Sequence, residues 1–212
     1  DSFLYRYYPA EKQREFCLWL AEYLGFDLDR GVIGESEHPF TTSFHNHDVR
    51  TTTHYYENQL DSAIFSLIHE TGHALYEQDI DDDLTQTPAG TGSSMGMHES
   101  QSRLYENMLG RSLAFWKPVY PKLRETFPEQ LTDVSLEQYV SAVNRARAGL
   151  IRTEADELTY CLHIMVRYEM EKLIFREDAR VEDLPAIWAD KYEEYLGIRP
   201  LGYADGILQD VH

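Results

Sequence analysis

The chain has 212 residues, enough to bury a sizeable core in one domain, and its 42% hydrophobic and 13% aromatic content excludes a disordered chain. Asp and Glu outnumber Lys and Arg by 37 to 19, a formal charge of −18, which argues against nucleic acid and anionic membranes as partners. No apolar run is long enough to span a bilayer and no secretory leader pattern opens the sequence. The two distant cysteines, Cys17 and Cys161, build no disulfide framework, so a cytoplasmic protein is expected.

Taken in order, Pro9 starts a helical pattern carrying Phe16, Leu18, Leu20, Tyr23 and Leu24, and Gly25 stops it. From about 31 to 53 the β-formers Val32, Ile33, Phe40, Thr41, Thr42, Phe44 and Thr51 to Thr53 alternate with Gly31, Gly34 and Pro39, which predicts two or three short strands. A helix follows over about 55 to 78, with Leu60, Ile64, Leu67, Ile68, Thr71 and Leu75 at helical spacing. Residues 79 to 94 are acidic, then rich in Thr, Pro, Gly and Ser, and read as a loop. A helix over about 97 to 116 is expected to end before Pro118. Another covers about 135 to 147, with Ser135 as N-cap and Glu137 in its first turn. The longest runs over about 153 to 176, and the last, about 184 to 196, closes at Gly197 and Pro200. There is no internal repeat. The expected fold is mainly α, with a small two- to three-stranded sheet just before the 55–78 helix, in one domain over 1–212. The chain opens on Asp1 rather than Met, and it reads as a piece of a longer protein.

The chemistry sits in Leu67-Ile68-His69-Glu70-Thr71-Gly72-His73-Ala74-Leu75-Tyr76. His69 and His73 lie one helical turn apart on one face, a spacing at which two imidazoles bind one metal ion. Glu70 stands beside them, where a general base for a metal-bound water belongs. The bland alternative is a pair of surface histidines on a solvated helix. Against it, Ala63, Ile64, Phe65, Leu67 and Ile68 make the flanks apolar, and burying these polar groups without partners is costly. Gly72 within the helix costs roughly 1 kcal/mol relative to Ala, which points to a close approach.

A catalytic zinc takes three protein ligands and keeps a position for water. Glu99, in Met97-His98-Glu99-Ser100-Gln101, is the leading third ligand, with His98 and Glu106 as rivals; Glu99 serving only a helix N-terminus is the other reading. Such a zinc brings its water to a pKa of roughly 7, and Glu70 takes the proton and passes it to the leaving nitrogen. Asp48 and Asp156 are candidates to accept the second N–H of the ligating histidines, or else are surface or capping aspartates.

These residues resemble a known family. His69-Glu70-Thr71-Gly72-His73 together with His98-Glu99-Ser100-Gln101 is similar to the M32 metallocarboxypeptidases, the carboxypeptidase Taq family. Asp48-Val49-Arg50-Thr51-Thr52 resembles that family's DxRxT motif, and Ile151-Arg152-Thr153-Glu154-Ala155-Asp156 its [IV]RxxAD motif. Gly206-Ile207-Leu208-Gln209-Asp210-Val211-His212 resembles GxxQDxHW, cut before the tryptophan.

The resemblance implies a helical zincin-type carboxypeptidase that trims C-terminal residues from peptide substrates with broad specificity. It carries one Zn2+ ion, for which Co2+ can substitute, and is usually a homodimer. His69, His73 and Glu99 fall on the ligand positions and Glu70 on the general base. Family members are about twice this length, and this chain matches the middle-to-C-terminal part of one. Arg152 is the candidate reader of the substrate carboxylate, since its guanidinium offers a bidentate fork. Arg50 is the runner-up, and an ordinary salt bridge from Arg152 to Glu154, Asp156 or a neighbour is the plainer alternative. His212 is a candidate hydrogen-bond donor to a developing oxyanion, and Tyr203 a further donor or a core residue. The competing functions are a metallo-endopeptidase or oligopeptidase of the same helical HExxH type, and an inactive metal-binding fragment.

Overall fold

In the computed structural model, which describes residues 1–176 and 179–210, Pro9 is the N-cap of helix α1 (Ala10–Leu24). Gly25 ends the helix at φ 108°, a left-handed turn that carries no Cβ penalty for glycine. One stripe of α1, Phe16, Cys17, Leu20 and Ala21, is buried. Three strands follow, β1 (Gly31–Glu35), β2 (Thr41–His45) and β3 (Asp48–Thr53), in the order β1-β3-β2. The central β3 pairs parallel with β1 and antiparallel with β2, with Thr41 opposite Thr51 and an irregularity between Ser43 and His45. Along β3 the burial alternates: Val49, Thr51 and Thr53 face inward, while Arg50 is exposed. The small sheet lies just before the central helix, as expected, and has three strands.

That helix, α2 (Leu60–Gln78), starts at Leu60 rather than near 55. The preceding residues are committed elsewhere: the Tyr56 carbonyl accepts from the Gln13 amide and the Glu57 carbonyl from the Tyr8 N–H. Leu60, Ala63, Ile64, Phe65, Leu67, Ile68 and Ala74 are all buried, and α2 packs against α1, β2 and β3. A helix apolar on most of its faces belongs inside, and each fully buried Leu or Ile stabilises the fold by about 1.5–3 kcal/mol.

The helix expected over 97–116 is divided. Its parts are α3 (Met95–Arg103), a π-helical turn (Leu104–Leu109) and, after a break at 110–112, α4 (Leu113–Thr126). Ser94 caps α3 by accepting from the Met97 N–H, and Ser112 caps α4 by accepting from the Phe115 N–H. Pro118 does not end a helix; it and Pro121 lie inside α4. Each removes a helix hydrogen bond, at about 3 kcal/mol or more, and burial of Trp116, Val119, Tyr120 and Leu123 on the inner face of α4 outweighs that.

After the short α5 (Pro128–Leu131), Ser135 caps α6 (Leu136–Val143) in a reciprocal pair with Gln138. The helix stops at Val143, short of 147, because the Val143 carbonyl accepts from the Arg111 guanidinium.

Residues Asp1–Val143 form one compact unit and Asn144–His212 a second, each with its own core. In the second, the helix expected from about 153 begins later, as α7 (Tyr160–Arg176). A 3-10 turn, Arg152–Glu154, precedes it, and the Asp156 carboxylate delays it by accepting from the N–H groups of Arg147, Leu158 and Thr159. Helix α8 (Leu184–Leu196) ends at Gly197, as expected. Val166, Met170, Trp188 and Tyr192 fill the space between α7 and α8. Among the described residues, no helix is long and apolar enough to cross a membrane.

Candidate metal centre

His69 and His73 sit one turn apart on α2, their ring centroids 5.0 Å from one another. The same helix carries Gly72, where a Cβ would stand 2.7 Å from Ser102 Cα and 3.0 Å from the Gln101 carbonyl oxygen. Only glycine lets α3 come this close. The approach brings Glu99 of α3 to the histidines: its Oε2 is 3.2 Å from His73 Nε2 and 3.6 Å from His69 Nε2. Arg103 Nε donates to the other carboxylate oxygen at 2.9 Å, and Ser102 Oγ lies 3.2 Å from Oε2.

The donor set fits a divalent ion. Ligand bonds of 2.0–2.2 Å in a tetrahedron put donor atoms about 3.4 Å apart, and the two separations measured here bracket that distance. Two imidazole nitrogens and one carboxylate oxygen are also a donor set that zinc and related ions favour. One ligand atom from each of His69, His73 and Glu99 lies within 4.8 Å of the others, the one such group of three among the described residues.

The electrostatics are those of a strongly anionic site. Burial opposes the charge on Glu99, but hydrogen bonds from His69, His73 and Arg103 prevail and hold its carboxyl well below the usual range. Burial likewise lowers the His69 pKa, yet its bonds to Glu106 and Glu99 outweigh that and raise it to about 9. Glu106 is held down in the same way, against burial, by its bond from His69.

Glu70 is buried at 7% exposure. Its Oε2 accepts from the Thr41 hydroxyl of β2 at 2.7 Å, and Thr51 Oγ1 lies 3.0 Å from Thr41 Oγ1.

Behind His69, His73 and Glu99 stand the residues that the sequence offered as rival ligands. Glu106, carried on the π-helical turn, has its Oε2 2.8 Å from His69 Nδ1. His98 Nδ1 is 2.6 Å from His73 Nδ1, and its Nε2 is 2.7 Å from Glu77 Oε1. The other Glu77 oxygen accepts from Ser43 Oγ at 2.6 Å, and the Tyr76 ring stacks on His98. The second nitrogens of the two histidines therefore face Glu106 and His98, not Asp48 or Asp156. Asp48 is forked to Arg50, and Asp156 is spent on the turn before α7.

Arg152 lies in its 3-10 turn in the second unit, not at the start of α7. Its backbone N–H donates to Gln209 Oε1 at 3.1 Å and its Nε is 3.4 Å from Asp210 Oδ1, so its ion pair is with Asp210 rather than Glu154 or Asp156. Arg50 packs over the Phe44 ring at 4.8 Å while paired to Asp48. Tyr203 is 64% exposed, which removes the core reading. His212 lies outside the described residues. The sequence reading passed over Thr41, Ser43 and Glu77. Glu77 alone left a signal, since it continues the stripe of His69 and His73 by one more turn.

Fold and site together define a class: a mainly helical chain whose HExxH helix and a following helix gather two histidines and a glutamate suited to a divalent ion. A family model for the carboxypeptidase Taq (M32) metallopeptidases matches residues 1–212. Carboxypeptidase 1 of Bacillus subtilis (strain 168) is 52% identical, over 100% of this chain and 42% of its own length. Thermostable carboxypeptidase 1 of Thermus thermophilus is 50% identical, over 100% of this chain and 41% of its own. The crystal structure of the M32 carboxypeptidase from Deinococcus radiodurans R1 superposes with a TM-score of 0.94 at 46% identity, covering 100% of this chain and 42% of that one.

The chain belongs to the carboxypeptidase Taq (M32) metallopeptidase family. It spans about two-fifths of the length of the curated relatives it matches. A metallopeptidase family implies a divalent metal, and His69, His73 and Glu99 are the residues here with the chemistry to hold it.

Proposed function

We propose that residues 1–212 are one catalytic region of a metallocarboxypeptidase that removes C-terminal residues from peptides with broad specificity. In this reading His69, His73 and Glu99 hold one zinc ion, replaceable by cobalt. The convergence of their donor atoms at 3.2 and 3.6 Å carries the proposal. When bound, the ion supplies a Lewis acid that polarises a carbonyl and brings the pKa of water to roughly 7.

The rest is work for side chains. Glu70 is anchored through Oε2 by Thr41, which leaves Oε1 to accept a proton from water and deliver it to the departing amine. Arg152 forks onto the substrate's terminal carboxylate, with Asp210 steadying the guanidinium from one side. His212 donates to the developing oxyanion. The full-length protein is a cytoplasmic homodimer in this reading; the free thiols of Cys17 and Cys161 support the reducing compartment.

The test compares a peptide with its C-terminal amide as substrates for the metal-loaded, full-length protein. The free acid is expected to be trimmed and the amide spared. Equal cleavage of both would overturn terminal specificity, and internal cleavage of blocked peptides would favour an oligopeptidase. Glu70→Gln is expected to lower kcat by about 10²–10⁴-fold with metal content unchanged. Full activity in that variant would remove Glu70 from the chemistry.

A further inference from the structure

We propose that Glu77, which contributes no ligand atom, is a positioning residue for the metal: through His98 it dictates which nitrogen of His73 carries a proton and which faces the ion. This rests on the reading of His69, His73 and Glu99 as ligands.

Protons can be placed one by one along a chain of short contacts. A carboxylate only accepts, so the 2.7 Å contact between Glu77 Oε1 and His98 Nε2 puts the His98 proton on Nε2. With an ion on its Nε2, a neutral His73 keeps its one N–H at Nδ1, so the facing His98 Nδ1 is the acceptor. It lies 2.6 Å from His73 Nδ1, and two lone pairs cannot share that distance. The His73 proton therefore sits on Nδ1. An ion seated between His73 Nε2 and Glu99 Oε2, 3.2 Å apart, takes the lone pair left on Nε2 and replaces the hydrogen bond from His73 to Glu99.

If the His98 proton moved to Nδ1, every assignment would reverse. His73 would carry its proton on Nε2 and lose its ligand lone pair, while Glu77 would face a lone pair.

The surroundings hold the arrangement in the first sense. Ser43 Oγ donates to the second Glu77 oxygen at 2.6 Å, so both oxygens act as acceptors. The Tyr76 ring lies 4.6 Å from the His98 ring with 27° between planes, which fixes the plane of the imidazole. Both Glu77 and His98 have side chains only 17% exposed, so water competes weakly for these groups. The two ligand histidines are thus supported differently: His69 meets a carboxylate directly at Glu106, whereas His73 reaches one only through a second ring.

The experiment measures the Zn2+ dissociation constant by competition with a chromophoric chelator, in the full-length protein. Glu77→Ala is expected to weaken binding about 10–100-fold, the usual cost of losing an outer partner of a metal ligand. Glu77→Gln, whose amide oxygen still accepts from His98 Nε2, is expected to recover most of the loss. His98→Phe removes the acceptor of His73 and is expected to cost about as much as Glu77→Ala.

The deciding readout is the double variant. Once His98 is gone the route is cut, so adding Glu77→Ala is expected to cost less than about twofold. Losses that multiply, or a Glu77→Ala protein that binds within about twofold of the parent, would overturn the relay. If Glu77→Ala fails to fold, Glu77→Leu preserves volume without an acceptor and is expected to show the same loss. A parent protein that binds no Zn2+ would overturn the ligand reading and the relay with it. A parent that binds while the Glu77 variants bind equally well overturns the relay alone.

Discussion

Thr41 has one hydroxyl proton and three oxygens in reach: Glu70 Oε2 at 2.7 Å, and the Glu70 carbonyl and Thr51 Oγ1 at 3.0 Å. A bond to an ionised acceptor is roughly twice as strong as a neutral one, so the proton goes to the carboxylate and Thr51 donates its own to Thr41. One oxygen of Glu70, the proposed base, is thereby pinned. Thr41→Val keeps the shape and removes the donor; kcat is expected to fall about tenfold, since loss of orientation alone costs 10–100-fold, with KM little changed and Thr41→Ser restoring the rate. A raised KM with intact kcat would move Thr41 from positioning the base to binding the substrate. The histidine pair and its glutamate were legible because i, i+4 spacing is a property of the helix itself. Thr41 was not legible, because nothing local says that a strand hydroxyl meets a carboxylate 29 residues later. His98 is legible as an imidazole beside the HExxH helix but not as the partner of His73 and Glu77, because sequence does not say which nitrogen faces which neighbour.

At the scale of elements, the contact between α2 and α3 sets where Glu99 lies. Gly72→Ala gains about 1 kcal/mol of helix propensity. It also places a Cβ 2.7 Å from a backbone carbon of Ser102, which cannot rotate away as a side chain can. Overpacking of this kind costs about 1–3 kcal/mol, so the steric effect wins. The variant is expected to unfold at lower denaturant and, with α3 displaced, to bind Zn2+ more weakly; a stabilised variant of unchanged affinity would show that α3 moves freely.

The second unit has its own test in His163, fully buried with Nδ1 3.0 Å from the Tyr192 hydroxyl. Burial, aided by Arg167 and Arg152, lowers its pKa from 6.5 to about 4. The unfolded chain therefore takes up a proton near 6.5 that the folded chain refuses until about 4. Stability is constant above that window and falls as pH drops through it, by at most about 3 kcal/mol. Urea midpoints against pH are expected to fall more steeply for the parent than for His163→Gln between 6.5 and 4; parallel curves would contradict the assignment. Helix periodicity made α1, α2 and α8 readable. It could not foresee that Trp116 and its neighbours keep α4 helical through two prolines, or that Asp156 postpones α7.

Over these 212 residues, a formal charge of −18 draws cations toward a site that is itself anionic, so uptake of a divalent ion is expected to weaken with salt. Every group argued to hold or support that ion falls between Thr41 and Glu106, within the first unit, while Arg152 and Asp210 belong to the second. The residues with the chemistry to hold a metal and the arginine proposed to read a chain end are thus carried on different stretches of sequence. Strand β2 ties the first set together. Thr41 and Ser43 stand two residues apart on it and reach Glu70 and Glu77, seven apart on α2. A slip of one residue in its pairing with β3 turns both hydroxyls to the far face at once. An inserted or deleted residue in the tight Asn46–His47 hairpin that shifts this register is therefore expected to be a double lesion, freeing both Glu70, the proposed proton acceptor, and Glu77, the proposed support of the ion, in a single genetic event.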